Sequence, residues 1–223
     1  MSKVINIIVE GQTETEFVKH CMSPYFAERG ILNIRPIGIE TSSGHKGGDV
    51  RYETRFKPTV QMVLRGKENM IVTSLIDFYK LRSDFPKYSE AQAISDKNEK
   101  VAFLERACFE DINDHRFIPY IQLHEFEALL FTKWEGFEDF SISITSKNEI
   151  RNIITQFPNP EMINDSSDSA PSKRLKELFS PVKYEKPFHG NYIALTNGFD
   201  IILEKCPRFK NWIETLLLKV SEN

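Results

Sequence analysis

Three glutamates, Glu10, Glu14 and Glu16, crowd the turn behind the apolar run in VINIIVEGQTETEF. Like charges this close repel, so the stretch needs solvent, a cation or a positive dipole to offset them. Other apolar runs end in acids too: Asp77 closes NMIVTSLID, and Glu125 and Glu127 follow RFIPYIQL within LHEFEALLF. Carboxylates delivered by separate strand ends to one sheet edge can surround a hard divalent cation, here Mg²⁺ or Mn²⁺, whose oxygen preference offsets their repulsion. The chemistry of such a site is phosphoryl chemistry, with phosphodiester hydrolysis as the natural case. The ion polarises phosphate, activates water and neutralises charge on the leaving oxygen. The bland alternatives are helix caps and solvated loop charges for the acids, and a tight turn for Gly11.

The elements that must position these residues read as strand, turn, helix. Val4 to Val9 is apolar and largely β-branched, which fits a strand buried on both faces of a parallel sheet. A helix follows, with Thr13 and Glu16 in capping-box spacing, Phe17, Cys21 and Phe26 as its apolar face and a kink at Pro24. Leu32 to Glu40 is a second strand pushed toward an edge by Pro36, and Thr41 to Asp49 is a flexible loop by composition. YETRFKPTVQMVLRG is helical with an interruption at Pro58, and Asn69 to Asp77 is the third strand. One long helix then covers about Glu90 to Asp114, with Ala102, Leu104, Cys108 and Phe109 toward the core, before a fourth strand in RFIPYIQL.

Strands separated by helices imply βαβ crossovers and a mainly parallel, Rossmann-like α/β sheet of about four strands. Beyond Phe131 only short helices are expected: KNEIRNIITQF, PSKRLKELF, NGFDIILEKC and PRFKNWIETLLLKV, two of them opening on Pro171 and Pro207. The expected division is an α/β core over 1–133 and a helical region over 134–223 packed on it.

Composition narrows the class. The 223 residues are 40% hydrophobic and 27% charged, as in a globular protein, with a net charge of -3. That charge gives no global footprint for nucleic acid, so such contacts must come from local basic clusters. Cys21, Cys108 and Cys206 are dispersed and odd in number, which argues for a reducing cytoplasm over a disulfide framework. The N-terminus meets Glu10 too early for a signal-peptide core, and apolar runs such as Leu216 to Leu218 are too short to span a membrane.

Glu-Gly at the end of one strand and an aspartate at the end of a later one resemble the TOPRIM superfamily of topoisomerases, primases and overcoming-lysogenization-defect (OLD) nucleases. More closely, VEGQTETEF, GGDVRYE, LIDFYKLRSDFP, RFIPYIQLHEFEALLF, PSKRLKELF, KPFHG and CPRFKNW together resemble the bacterial domain-of-unknown-function family DUF4276, from Val4 to Trp212. The resemblance implies a TOPRIM-like core with a metal site, a nuclease activity, and a role in phage defence beside an ATPase of the ABC or OLD type. By it, Glu10 matches the first-strand glutamate that serves as metal ligand or general acid/base, and Asp77 the first aspartate of an Asp-x-Asp motif. The third position of that motif is Tyr79 here, a departure that Glu14, Glu125 or Glu127 must compensate. Tyr79 itself reads as structural.

Glu125 and Glu127 share a face if the strand continues through LHEFE, and diverge by about 200° if a helix has begun. Both are therefore candidates, as catalytic groups and as ligands, with Glu10, Glu14 and Asp77. His124 beside them suits a ligand, a proton relay or a hydrogen-bonded strand end. Lys173, Arg174, Lys186 and His189 are the expected contacts to a nucleic-acid backbone, their bland alternative being a solvated helix face. Phe117, Tyr120, Phe126 and Phe131 read as core before base-stacking platforms. GHKGGD could cradle phosphate or merely turn, and it lacks the Lys-Ser ending of a P-loop.

Two other readings stand beside the nuclease. One is a non-catalytic regulatory or assembly subunit that binds the ATPase, and the other is phosphoryl chemistry on a small nucleotide. Assembly as a homo-oligomer stays open.

Overall fold

A computed structural model describes residues 3–42, 45–46, 50–66, 69–79, 81–163 and 169–222. Its centre is a parallel sheet of β1 (Val4–Val9), β2 (Ile34–Gly38), β5 (Met70–Asp77), β6 (Phe117–Ile118) and β7 (Ile121–Gln122). The order is β2-β1-β5-β6, with β7 continuing alongside β5. Every pairing in this sheet is parallel, as the alternation of strand and helix signals predicts. The expected fourth strand is divided in two at Pro119 and Tyr120. Pro119 has no N–H to give to a ladder, and the break falls there.

Both faces of β1 are buried, because successive side chains enter different cores. Ile5, Ile7 and Val9 join the first core, with Phe17, Phe126, Leu175, Phe209 and Trp212. Val4 and Ile8 join the second, with Phe56, Val60, Leu104 and Cys108. Phe117, Tyr120, Phe126 and Phe131 are all buried, so the core reading of these aromatics holds.

Helices α1 (Gln12–Phe17) and α2 (Ser23–Ala27) form one rod joined by a π-helical turn at Val18–Met22. Pro24 enters at the first turn of α2, so the irregularity lies ahead of the proline. The expected Thr13–Glu16 box does not form. Gly11 is the N-cap instead, and Glu14 reaches back to its N–H at 2.9 Å, while Glu16 faces solvent and pairs with Lys19 and His20.

The expected flexible loop over Thr41 to Asp49 contains a small antiparallel ladder, β3 (Glu40–Ser42) with β4 (His45–Lys46). The remainder of GHKGGD lies outside the described residues. Pro58 does not interrupt its helix but sits in the first turn of α3 (Lys57–Leu64), which follows a π-helical turn. The expected long helix is split into α4 (Tyr88–Ala91) and α5 (Lys97–Ile112), the latter capped by Asp96, which accepts from Glu99 N–H at 2.8 Å. Val101, Leu104, Ala107 and Cys108 face inward, whereas Ala102 is half-buried and Phe109 exposed.

The C-terminal half contributes α6 (Ile144–Gln156), α7 (Pro171–Leu178), α8 (Asn191–Asn197), α9 (Phe199–Lys205) and α10 (Pro207–Ser221). These helices cover the face of the sheet that holds Ile5 and Ile7. Trp212 of α10 stacks on Tyr120 with ring centres 4.3 Å apart and donates to the Thr73 hydroxyl of β5 at 2.9 Å. Glu161 caps α10, accepting the N–H groups of Arg208 and Phe209 at 2.8 and 3.0 Å. No helix among the described residues is long and apolar enough to cross a membrane.

Candidate metal centre

The parallel register brings the carboxyl ends of β1, β5 and β7 to one edge. Val9 lies level with Leu75 and Asp77 with Gln122, so Glu10, Asp77 and the chain after Gln122 leave the sheet together. Asp77, Glu125 and Glu127 each present a carboxylate oxygen there, and these oxygens lie within 4.8 Å of one another. Asp77 thus forms one acidic triad with Glu125 and Glu127, a pair from a distant stretch of the chain.

The backbone after β7 explains how Glu125 and Glu127 both reach it. Glu125 is extended (φ -140°, ψ 154°) and is the N-cap of a 3₁₀ segment, Phe126–Thr132, whose first turn holds Glu127. Neither a continued strand nor an α-helix is present, so the two side chains converge although the motif is neither pure pattern. His124, at φ 66°, supplies the left-handed turn just before them and is buried.

Each carboxylate is oriented by a donor. Asp77 Oδ1 accepts the Phe126 N–H at 2.8 Å. Glu125 takes two bonds from Ser172 in the first turn of α7, N–H to Oε2 at 2.9 Å and hydroxyl to Oε1 at 3.0 Å. Glu127 is paired with the Lys186 ammonium at 2.5 Å. Glu14 is held by Gly11 N–H. The start of α1 therefore answers part of the crowding that the sequence posed.

The rest of the repulsion is not cancelled. Burial, then the charge of Glu10, then those of Glu14, Glu127 and Glu125, push the Asp77 carboxyl well above the usual range. Burial and Glu10 push Glu14 up to about 7. For Lys186, burial pulls downward, but the Glu127 carboxylate and its hydrogen bond, with Asp77 and Glu125 behind it, outweigh that and hold the ammonium above its usual value. One lysine therefore faces a group of buried acids, and the surplus is negative. A compact set of hard oxygen donors with surplus negative charge fits Mg²⁺ or Mn²⁺ better than a soft metal.

Glu10 and Glu14 stand beside the triad rather than within it, both buried and both acting on Asp77. The basic residues part company. Lys186 reaches the acids, but the His189 ring packs against Phe140, Phe179 and Tyr184, and its Nδ1 accepts the Glu185 N–H at 2.8 Å. Arg174 Nε donates to the Ser169 carbonyl at 2.9 Å, and Lys173 is exposed. Tyr79, where the Asp-x-Asp motif would repeat its acid, is partly exposed at the rim.

Ser172 was not singled out in the sequence as a group that holds a carboxylate. A serine immediately after a proline at a helix start offers both a free N–H and a hydroxyl, and that signal stood in PSKRLKELF.

No curated protein matches the chain. The solved structure of the C-terminal region of the Burkholderia pseudomallei OLD protein is similar to it, with a TM-score of 0.52 and 16% identity over 95% of this chain and 97% of that one. At that identity the likeness is one of fold, and it agrees with the mainly parallel α/β architecture expected from the sequence. The family model for Domain of unknown function (DUF4276) matches residues 9–217, and with that span the chain belongs to this family.

Proposed function

We propose that the chain is a Mg²⁺- or Mn²⁺-dependent nuclease that hydrolyses phosphodiester bonds of DNA or RNA and works with an ATPase of the ABC or OLD type in phage defence. The observation that carries the hydrolytic part is the meeting of Asp77, Glu125 and Glu127 oxygens within 4.8 Å at the carboxyl edge of the sheet. The ATPase and the defence role rest on the family resemblance and on the fold likeness to an OLD protein region.

In this reading Asp77, Glu125 and Glu127 hold the ion, with Glu10 and Glu14 completing its surroundings. The ion supplies Lewis-acid polarisation of the phosphate and offsets charge on the leaving oxygen. Phe126 N–H and Ser172 fix the carboxylates, so that little ordering remains to be done when substrate arrives. Lys186 faces the incoming phosphate with a permanent charge. Glu14, beside the triad, serves as the base that takes a proton from attacking water. Lys173, Arg174, His189 and His124 are further candidates for substrate contact, of which Lys173 is exposed.

The test is cleavage of single- and double-stranded DNA and of RNA by the purified chain, alone and with its ATPase, in Mn²⁺ or Mg²⁺. Cleavage that disappears in Asp77→Asn supports the reading. No cleavage of any substrate by the wild type in the presence of the ATPase and metal overturns it.

A second reading has one specific observation in its favour. Lys186 already occupies Glu127, and Tyr79 stands where the motif would supply another acid. A non-catalytic subunit that binds an ATPase would use the lysine to balance the acids without metal, and it predicts no Mn²⁺ binding. Offering mononucleotides alongside oligonucleotides separates off small-nucleotide chemistry.

A further inference from the structure

Tyr184 has a buried polar atom with no role in the scheme above. The residue is 6% exposed, and its phenol oxygen has no hydrogen-bond partner among the described residues. An unpaired buried hydroxyl lowers stability, and phenylalanine would fill the same space without that cost.

The oxygen lies near the elements that deliver the acids, and the charges of Glu127 and Glu125 act on it. It lies against Gly190, where an added Cβ would meet it at 3.2 Å, with Leu130 Cδ1 and Thr13 Cγ2 the next nearest atoms to that point. Thr13 is in the first turn of α1 beside Glu14, and Leu130 is three residues beyond Glu127 in the 3₁₀ segment. Gly190, which the phenol oxygen lies against, is thus packed on both elements that deliver Glu14 and Glu127. Two residues beyond Tyr184, Lys186 reaches Glu127.

The carboxylates nearest in charge are already engaged, Glu125 by Ser172 and Glu127 by Lys186. Burial, with Glu127 and Glu125 behind it, also holds the phenol well above its usual range, so it remains an O–H donor. A donor kept protonated beside acids, yet bonded to none of them, suits an oxygen that arrives with the ligand.

We propose that the Tyr184 hydroxyl is a substrate-binding donor, giving its hydrogen bond to a non-bridging oxygen of the phosphate ester at the acidic centre. This rests on the nuclease reading. It adds to that reading a neutral donor beside the lysine's cation, held against Gly190.

The experiment compares the full-length wild type with Tyr184→Phe. Binding of a fluorescent oligonucleotide is followed by anisotropy in Ca²⁺, which keeps binding apart from cleavage, and thermal unfolding is measured without the oligonucleotide. The expected result is a Kd weaker by roughly fivefold to tenfold, the loss of one hydrogen bond, with a Tm equal to or above wild type. Equal Kd values overturn the proposal while leaving the nuclease reading standing. A Tm several degrees lower in Tyr184→Phe also overturns it, because the hydroxyl would then be a structural contact. A wild type that binds no oligonucleotide sinks the nuclease reading, and the proposal with it.

Discussion

Ser172 grips Glu125 with two donors at once, its N–H on Oε2 at 2.9 Å and its hydroxyl on Oε1 at 3.0 Å, across 47 positions of chain. The pair ties α7 to the chain after β7, and it fixes Glu125 in direction. A carboxylate held this way needs little reorganisation to bind a cation. The basic helix is thereby linked to the acid site through a serine rather than through its lysines.

Ser172→Ala removes one of the two donors and leaves the backbone bond. Mn²⁺ affinity should fall about 10–100-fold, the usual cost of losing an outer support for a ligand. Isothermal calorimetry on the folded variant measures it. Superimposable isotherms would mean that Ser172 serves only to start its helix.

The pH dependence of stability isolates Glu14. Its carboxyl titrates at about 7 in the folded chain against 4.5 as the ordinary value, with burial as the leading cause and Glu10 next. A carboxyl raised by folding contributes stability that is complete below pH 4.5 and is lost as pH rises through about 7. In chelator, Glu14→Gln should therefore gain stability relative to wild type over that window, by roughly 3 kcal/mol at most. Urea unfolding at several pH values reads the difference, and a difference that stays flat with pH contradicts the raised titration.

Lys186 offers a sign test between the two functional readings. Its removal leaves Glu127 buried without its cation, so Lys186→Met should lose roughly 2 kcal/mol in chelator. With a metal site present, Mn²⁺ should restore more stability to the variant than it adds to wild type, and cleavage should fall. A loss of stability that Mn²⁺ leaves untouched favours the non-catalytic subunit.

Much of this arrangement could be read from the sequence. β-branched apolar runs ending in acids predicted a doubly buried parallel sheet and the residues at its edge, because strand period and burial are local properties. The capping box did not follow from its spacing: Thr13 and Glu16 fit the pattern, yet the bond that forms is from Gly11 N–H to Glu14, since the acid that turns inward is set by the helix start. The split of the expected long helix is marked by Asp96, whose side chain caps α5, a start signal that a single helix from Glu90 passes over. The role of Ser172 depends on a contact across 47 positions of chain, which no periodicity records. The convergence of Glu125 and Glu127 depended on a single extended residue before a 3₁₀ turn, which strand and helix patterns bracket without resolving.

Glu161 gives a prediction independent of function. Its carboxylate closes the start of α10 by accepting two N–H groups, and α10 carries Trp212 onto the sheet. Glu161→Ala should cost about 1–3 kcal/mol by leaving those buried donors unpaired. Chemical denaturation measures this, and an unchanged midpoint would show that α10 is held by its apolar face alone.

The central claim is that Asp77 at the end of β5 and Glu125 and Glu127 beyond β7 together bind one divalent ion. Calorimetric titration of Mn²⁺ into wild type and into Asp77→Asn tests it most directly, because asparagine keeps an oxygen for the Phe126 N–H while removing the charge. The account predicts saturable binding by wild type and none measurable by the variant. Identical isotherms, or no heat from either protein, would contradict it.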